Sequence, residues 1–320
     1  MYSSTINKNI MTNKLCIIVI TYNAEKWLDK CFNIFRNNPE VKILAIDNCS
    51  TDNTISILKE NFQHVKIIKT NTNLGFGKAN NIGLKYALEN KFEHVLLLNQ
   101  DAWISEADVY KLIDIQKNNP DYYIISPLHF NGLGNNLDEG FSHYMNLYAP
   151  ELCNDAIVGK YSKDVYNSTF CNAACWLLSK KCLEEIGGFN PSFHHYGEDD
   201  NYLHRLFYHN KKLGIVPTCK CFHDRENRPE NKTFFNDFST KYRIEILIPL
   251  SNPNNKKIHK TELNLFKKYT KNLIKNLVKL KFDKSFFYFS LLQKLYVNRK
   301  QILQNREISK NTNCNFLSNK

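Results

Sequence analysis

Leu15-Cys-Ile-Ile-Val-Ile-Thr-Tyr-Asn23 is the stretch whose reading decides the fold. Its apolar run has no polar break, which suits a strand covered on both faces rather than one facing water. The run stops at Thr21, and a helical pattern follows with Trp27, Leu28, Cys31, Ile34 and Phe35 on one stripe. Outward from there the alternation repeats. Lys42 to Ile46 predicts a second strand ending at Asp47, and Ser50 or Asp52 can cap a helix carrying Ile55, Leu58 and Phe62. Val65 to Ile68 predicts a third strand. Asn73-Leu-Gly-Phe-Gly77 reads as a turn that opens a helix to about Leu88, and Val95 to Leu98 as a fourth strand ending in Asn99-Gln-Asp101. Strand and helix in alternation predict parallel βαβ units. Polar groups then recur at the carboxyl ends of strands (Thr21 to Asn23, Asp47-Asn48, Asn99, Asp101), where an open α/β sheet binds ligands.

Residues 129 to 165 show no clear periodicity and read as a variable insertion. Beyond it Cys171 to Leu178 predicts a strand, Lys180 to Ile186 a short helix, Gly187-Gly-Phe189 a turn and Glu198 to Tyr208 a helix. Leu213 to Val216 and Lys220 to His223 predict two more strands. The chain has 320 residues, 42% hydrophobic and 13% aromatic, enough for a packed core and not the composition of a disordered polymer. No apolar run approaches the roughly 18 residues needed to span a bilayer. Met1 to Lys14 is polar, carries no secretory pattern, and is expected to be a disordered leader, so the expected location is the cytoplasm. In that compartment the ten cysteines are expected to stay reduced, and the absence of any C-x2-C pair argues against structural zinc.

The net charge of +12 is unevenly spread. From Lys256 onward there are 16 Lys and Arg against 3 Asp and Glu, so the preceding chain is nearly neutral. In this tail Phe266, Tyr269, Leu273, Leu277 and Leu280 recur every three or four residues, with Lys267, Lys271, Lys275 and Lys279 on another face. That pattern is a basic amphipathic helix, and Phe286, Phe287, Phe289, Leu291 and Leu292 add an apolar patch downstream. An anionic membrane surface is the expected partner, at the inner face of the cytoplasmic membrane. Nucleic acid is not, because the body of the chain lacks the charge.

Ile17-Ile-Val-Ile-Thr-Tyr-Asn23, Ile46-Asp-Asn-Cys-Ser-Thr-Asp-Asn-Thr54, Asn73-Leu-Gly-Phe-Gly-Lys-Ala-Asn-Asn-Ile-Gly83 and Leu96-Leu-Leu-Asn-Gln-Asp101 resemble four successive blocks of the family 2 glycosyltransferases. Gly187-Gly-Phe-Asn190, Gly197-Glu-Asp199 and His223 are similar to that family's acceptor half. The similarity runs from about residue 15 to 225, and the nearest subgroup is the rhamnosyltransferase-like enzymes of bacterial surface-polysaccharide synthesis. It implies a GT-A-type, Rossmann-like mixed α/β sheet flanked by helices over 15–255. Its donor half would reach about 101 and its acceptor half about 230, followed by a C-terminal helical tail over 256–320.

The resemblance also implies roles. Asp47 recognises the base or ribose of a nucleotide-sugar donor, with Thr21 and Asn23 nearby. Gly75 and Gly77 let the backbone approach the nucleotide, and Lys78, Asn80 and Asn81 contact the donor. Asn99-Gln-Asp101 is a degenerate Asp-x-Asp motif in which Asp101 holds a divalent metal, manganese or magnesium, His223 completes the coordination and Asn99 lies on the donor side. The chemistry asks for such an ion, because a departing nucleoside diphosphate carries charge that a cation stabilises. A sugar hydroxyl is a poor nucleophile and needs a base. That base is Asp199, with Glu198 as neighbour and runner-up, and Arg205 steadies the acids or the diphosphate. Direct attack by a glycan or lipid-linked glycan acceptor would invert the anomeric centre.

Each residue alone has a plainer reading: Asp47 caps a loop, the glycines serve a turn, and the acids begin a helix. Two rival functions also stand. A sugar nucleotidyltransferase would carry a Gly-rich triphosphate loop with Arg and Lys after the first strand, where this chain has Thr21-Tyr-Asn-Ala-Glu25. An inactive nucleotide-sugar-binding scaffold would account for Asn99 in the metal motif.

Overall fold

The computed structural model describes residues 15–38, 41–227 and 237–317; the expected leader at 1–14 lies outside them. Its centre is a nine-stranded mixed sheet in the order β3-β2-β1-β4-β8-β6-β9-β5, with β7 paired to β9 off that path. The strands are β1 (Leu15–Thr21), β2 (Lys42–Asp47), β3 (Val65–Lys69), β4 (His94–Asn99), β5 (Ala102–Ile104), β6 (Tyr122–Asn131), β7 (Tyr166–Ser168), β8 (Cys175–Ser179) and β9 (Lys212–His223). The first four are mutually parallel. β8 then runs antiparallel to both β4 and β6 and turns the sheet into its mixed half.

The uninterrupted apolar runs of β1, β2 and β4 are explained by burial on both faces. Leu15, Ile17 and Val19 point into one core with Ile43, Ala45, Leu96 and Leu98. Cys16 and Ile18 point into the other with Leu44, Ile46, Val95 and Leu97. The first core is closed by α1 (Leu28–Phe32), α2 (Thr54–Asn61) and α4 (Glu106–Asn118), the second by α3 (Phe76–Glu89), α7 (Lys180–Glu185) and α8 (Glu198–Tyr208). α4 begins where Ser105 Oγ accepts the Asp108 N–H at 3.0 Å, an N-cap.

The stretch read as an unpatterned insertion is ordered. It holds the end of β6, then α5 (Glu139–Tyr148), capped by Asp138, and α6 (Pro150–Val158), which starts on a proline and stops at the left-handed Gly159. The two strands expected at 213–216 and 220–223 are one strand, β9. Its pairing with β6 jumps from Val216 to Lys220 across Pro217, which cannot donate to the ladder.

From 237 to 308 the chain is mainly helical: α9 (Asp237–Lys241), a π-helical segment (Tyr242–Leu247), α10 (Ile248–Ser251), α11 (Ile258–Val278) and α12 (Phe282–Ile308). Beyond the turn at 252–255 the chain returns to the sheet. The Asn315 carbonyl accepts the Gly188 N–H at 2.7 Å, and Leu317 is buried in the second core.

Candidate active site

Strand register fixes three of the candidates before side chains enter. Thr21 pairs with Asp47 across β1 and β2, and Ile20 with Asn99 across β1 and β4, so all three end on one edge of the sheet. Thr21 Oγ1 donates to Asp47 Oδ1 at 3.2 Å and the Ser50 N–H to Oδ2 at 3.1 Å. Asp47 is buried and holds its own loop, and each carboxylate oxygen keeps a further lone pair for a ligand. Asn23 Oδ1 accepts the Thr51 N–H at 2.8 Å, which stitches the loop after β1 to the loop after β2.

The turn before α3 joins this edge to the acceptor half. Asn48 Nδ2 donates to Asn73 Oδ1 at 3.0 Å, and its Oδ1 accepts the Leu74 N–H at 2.8 Å. Gly75 has φ +79°, and a Cβ there would lie 1.8 Å from the His194 carbonyl oxygen. A Cβ on Gly77 would meet Phe189 Cβ at 2.9 Å. These glycines therefore admit the 189–198 segment. Asn81 spends its amide on the same segment instead of the expected donor contact: it donates to the Phe189 carbonyl at 2.8 Å and accepts the Phe189 N–H at 2.7 Å. Asn80 is buried and donates to the Phe76 carbonyl at 3.1 Å. Lys78 is exposed on the first turn of α3, where a helix N-terminus favours an anion.

The acid cluster opens α8 after Gly197, itself left-handed at φ +83°. Asp199 Oδ2 accepts the Ala173 N–H at 3.2 Å, and the carbonyl of the following residue, Ala174, accepts the Asn99 N–H at 2.9 Å. Two consecutive residues thus bridge the expected base to the end of β4. Burial pushes the Glu198 carboxyl up to about 8, and the neighbouring Asp199 adds to the rise. Burial pushes Asp199 up to about 7 against the lowering effect of the Ala173 N–H, and also raises Asp200. Glu198 Oε2 is buried without a hydrogen-bond partner. Arg205 does not serve the acids as expected. Its guanidinium donates to the Ile186 carbonyl at 2.8 Å and to the Gly188 carbonyl at 2.5 Å, pinning the turn after α7.

Opposite the acids, β9 pairs β5 with His223 facing Ala102, and the Asp224 N–H donates to the Asp101 carbonyl at 2.8 Å. His223 Nε2 lies 3.5 Å from Asp101 Oδ1 and 3.5 Å from Asn99 Nδ2. Its Nδ1 lies 3.2 Å from Asp138 Oδ2, which also has Arg225 Nε at 3.2 Å. Burial would raise the Asp138 carboxyl, but His223 and Arg225 outweigh it and hold it at about 2. A carboxylate behind one ring nitrogen orients the other, so Nε2 is presented toward Asp101. Asn99 Oδ1 is buried and without a hydrogen-bond partner.

Among the described residues no group of three or more His, Cys, Asp and Glu side chains converges as a metal cage. Asp101 and His223 form a two-ligand corner instead. It fits a divalent cation that takes its remaining ligands from phosphate oxygens and water.

Sequence reasoning missed Asp138 and Arg225 behind His223, the Ala173 N–H under Asp199, and Trp27, whose indole donates to Asp224 Oδ2 at 3.1 Å. Only Asp138 carried a local signal, as a polar residue before a helix.

The Glycosyl transferase family 2 profile matches residues 16–187. The chain is 27% identical over 228 residues to the low-salt glycan biosynthesis hexosyltransferase Agl10 of Haloferax volcanii, covering 70% of this chain and 71% of that one. It is 23% identical over 221 residues to the dTDP-rhamnosyl transferase RfbF of Shigella flexneri, covering 67% and 70%. The crystal structure of S. aureus TarS 1–349 in complex with UDP-GlcNAc superposes with a TM-score of 0.55 at 16% identity, over 93% of this chain and 90% of that one. A longer TarS structure is matched over 41% of its chain.

Proposed function

The chain belongs to Glycosyl transferase family 2, and on that premise we propose that it moves a hexosyl or deoxyhexosyl unit, such as rhamnosyl, from a nucleoside-diphosphate sugar to a hydroxyl of a surface-polysaccharide or lipopolysaccharide acceptor, with inversion. The observation that carries this reading is the bridge from Asp199 through Ala173 and Ala174 to Asn99, beside Asp101 and His223. It sets a carboxyl next to the strand edge where a donor would lie.

The donor's nucleoside rests on the Thr21, Asn23 and Asp47 edge, and Lys78 at the start of α3 faces its phosphates. Asp101 and His223 are the residues that would hold a divalent ion there, and such an ion supplies positive charge to the departing diphosphate. Asp138 fixes the ring of His223. Asp199 takes the proton of the acceptor hydroxyl as that oxygen attacks the anomeric carbon. A base works best with its proton affinity near the operating pH, and burial sets that of Asp199 at about 7. Glu198, higher still, keeps its proton through neutrality and spares the pair a second buried charge. The acceptor is a glycan or lipid-linked glycan at an anionic membrane face on the cytoplasmic side, reached through the basic C-terminal helices.

The test is a panel of nucleoside-diphosphate sugars, with and without manganese, scored for thermal shift and for release of nucleoside diphosphate. Metal-dependent release from one donor is expected. Donor binding without release by any member would make the chain a nucleotide-sugar-binding scaffold.

A further inference from the structure

α11 and α12 form an antiparallel hairpin whose two ends differ. Toward the domain, Leu265, Tyr269, Leu291 and Leu295 are buried with Ile246 and Leu250. Glu245 is paired with Lys268 at 2.7 Å and accepts the Tyr269 hydroxyl at 2.9 Å. Arg299 and Glu262 pair at 2.5 Å across the two helices. The lysine stripe read from the sequence is exposed at Lys267, Lys271, Lys275 and Lys279, while the apolar stripe packs inward at its Tyr269 end.

The far end has no such cover. Val278, Leu280, Phe282 and Phe286 are 65–79% exposed, with Ile274 and Phe289 about half exposed behind them. Leu280 sits at the turn with φ +52°, a left-handed conformation where glycine or asparagine is usual, so a large apolar residue is held at the apex against local preference. Lys271, Lys275, Lys279, Lys281 and Lys284 surround this tip, all exposed, with Asp283 the single acid among them. Among the described residues none of the five lysines has a carboxylate within ion-pair distance.

An apolar apex ringed by unpaired positive charge suits one kind of surface, an anionic bilayer, which takes the rings into its headgroup–acyl boundary and the ammonium groups onto its phosphates. A second copy of the chain would set lysines against lysines, and a nucleic acid would leave the phenylalanines in water. No helix among the described residues is long and apolar enough to cross a membrane. The tip is suited to insertion from one side.

We infer that the α11–α12 hairpin docks the protein on anionic lipid by inserting Val278, Leu280, Phe282 and Phe286, with the five lysines on the headgroups. This deepens, and rests on, the reading of a membrane-borne acceptor. The experiment is flotation of the full chain with vesicles of phosphatidylcholine and phosphatidylglycerol, beside vesicles of phosphatidylcholine alone. Wild type should float with the anionic vesicles only. The double variant F282E/F286E should lose more than about tenfold in partition, and each of Lys279→Glu, Lys281→Glu and Lys284→Glu about fivefold or more, with melting temperatures unchanged.

Equal flotation of the tip variants and wild type, equal binding of neutral vesicles, or no flotation of wild type overturns the proposal. A wild-type dimer by light scattering that F282E/F286E dissolves assigns the tip to a second copy instead. Release of nucleoside diphosphate, measured without vesicles, is read in parallel. Its loss in wild type would sink the catalytic reading and leave the flotation result standing.

Discussion

At the ends of β1 and β2 the polar side chains are satisfied: Asp47 holds Thr21 and the Ser50 N–H, and Asn23 holds the Thr51 N–H. At the start of α8 the terms differ. Glu198 keeps a buried oxygen without a partner, and burial lifts both it and Asp199 toward neutrality. Satisfied groups cost little and give a stiff platform for binding, whereas an unsatisfied buried carboxyl persists only where the surrounding structure imposes it. On the proposed function, recognition falls to the parallel half of the sheet and proton transfer to the mixed half.

The largest effect that tests this division is on turnover. Asp199→Asn is expected to lower kcat about 10²- to 10⁴-fold while leaving donor affinity unchanged, measured by transfer rate and by donor titration. Unchanged turnover would move the base elsewhere. In wild type, kcat/KM should rise through pH about 7 as Asp199 loses its proton, and a flat profile from pH 5 to 9 would count against that carboxyl.

Stability follows the opposite course. The folded-state value of Asp199 is raised above its ordinary 3.8. Its contribution is thus full below about 4 and is lost as pH rises to about 7. The Asn variant should accordingly melt above wild type at pH 8 and close to it at pH 4, by calorimetry.

A smaller effect probes the His223 corner. Asp138→Asn is expected to weaken manganese binding about 10- to 100-fold in the presence of nucleoside diphosphate, read by titration calorimetry with no acceptor present. Unaltered affinity would leave Asp138 as a helix cap and no more. The smallest concerns the joint between the halves. Asn81→Ala removes two hydrogen bonds to Phe189 and should cost about 1–2 kcal/mol of stability with donor affinity intact; a matching loss of donor affinity would restore Asn81 to the binding site.

The two halves were also unequally legible. β1 to β4 and α2, α3 and α8 are carried by runs and spacings within single segments, and the sequence pattern finds them. α4 shows only a modest apolar stripe. β5 and β7 span three residues each, too short for a period to register. β6 is buried along almost its whole length with a proline inside it, and the pattern of β9 reads as two strands because Pro217 interrupts it. Motif spacing brought Asp47, Asp101, Asp199 and His223 to attention. It had no means of showing that Asn81 and Arg205 spend their donors on the turns at 186–189, since those are contacts between distant segments.

The irregularity in β9 has a mechanical consequence. Three residues, Pro217 to Cys219, stand between the partners of Pro127 and Leu128, and only beyond them does the strand realign to set His223 opposite Ala102. Side chains on a strand alternate faces, so removing one of those three residues would rotate the next stretch by half a period. Asp224 would then take the register position opposite Ala102, and the imidazole would turn to the other face of the sheet. The spacer behaves as a gauge block whose length sets which side chain stands opposite Ala102 at the end of β5.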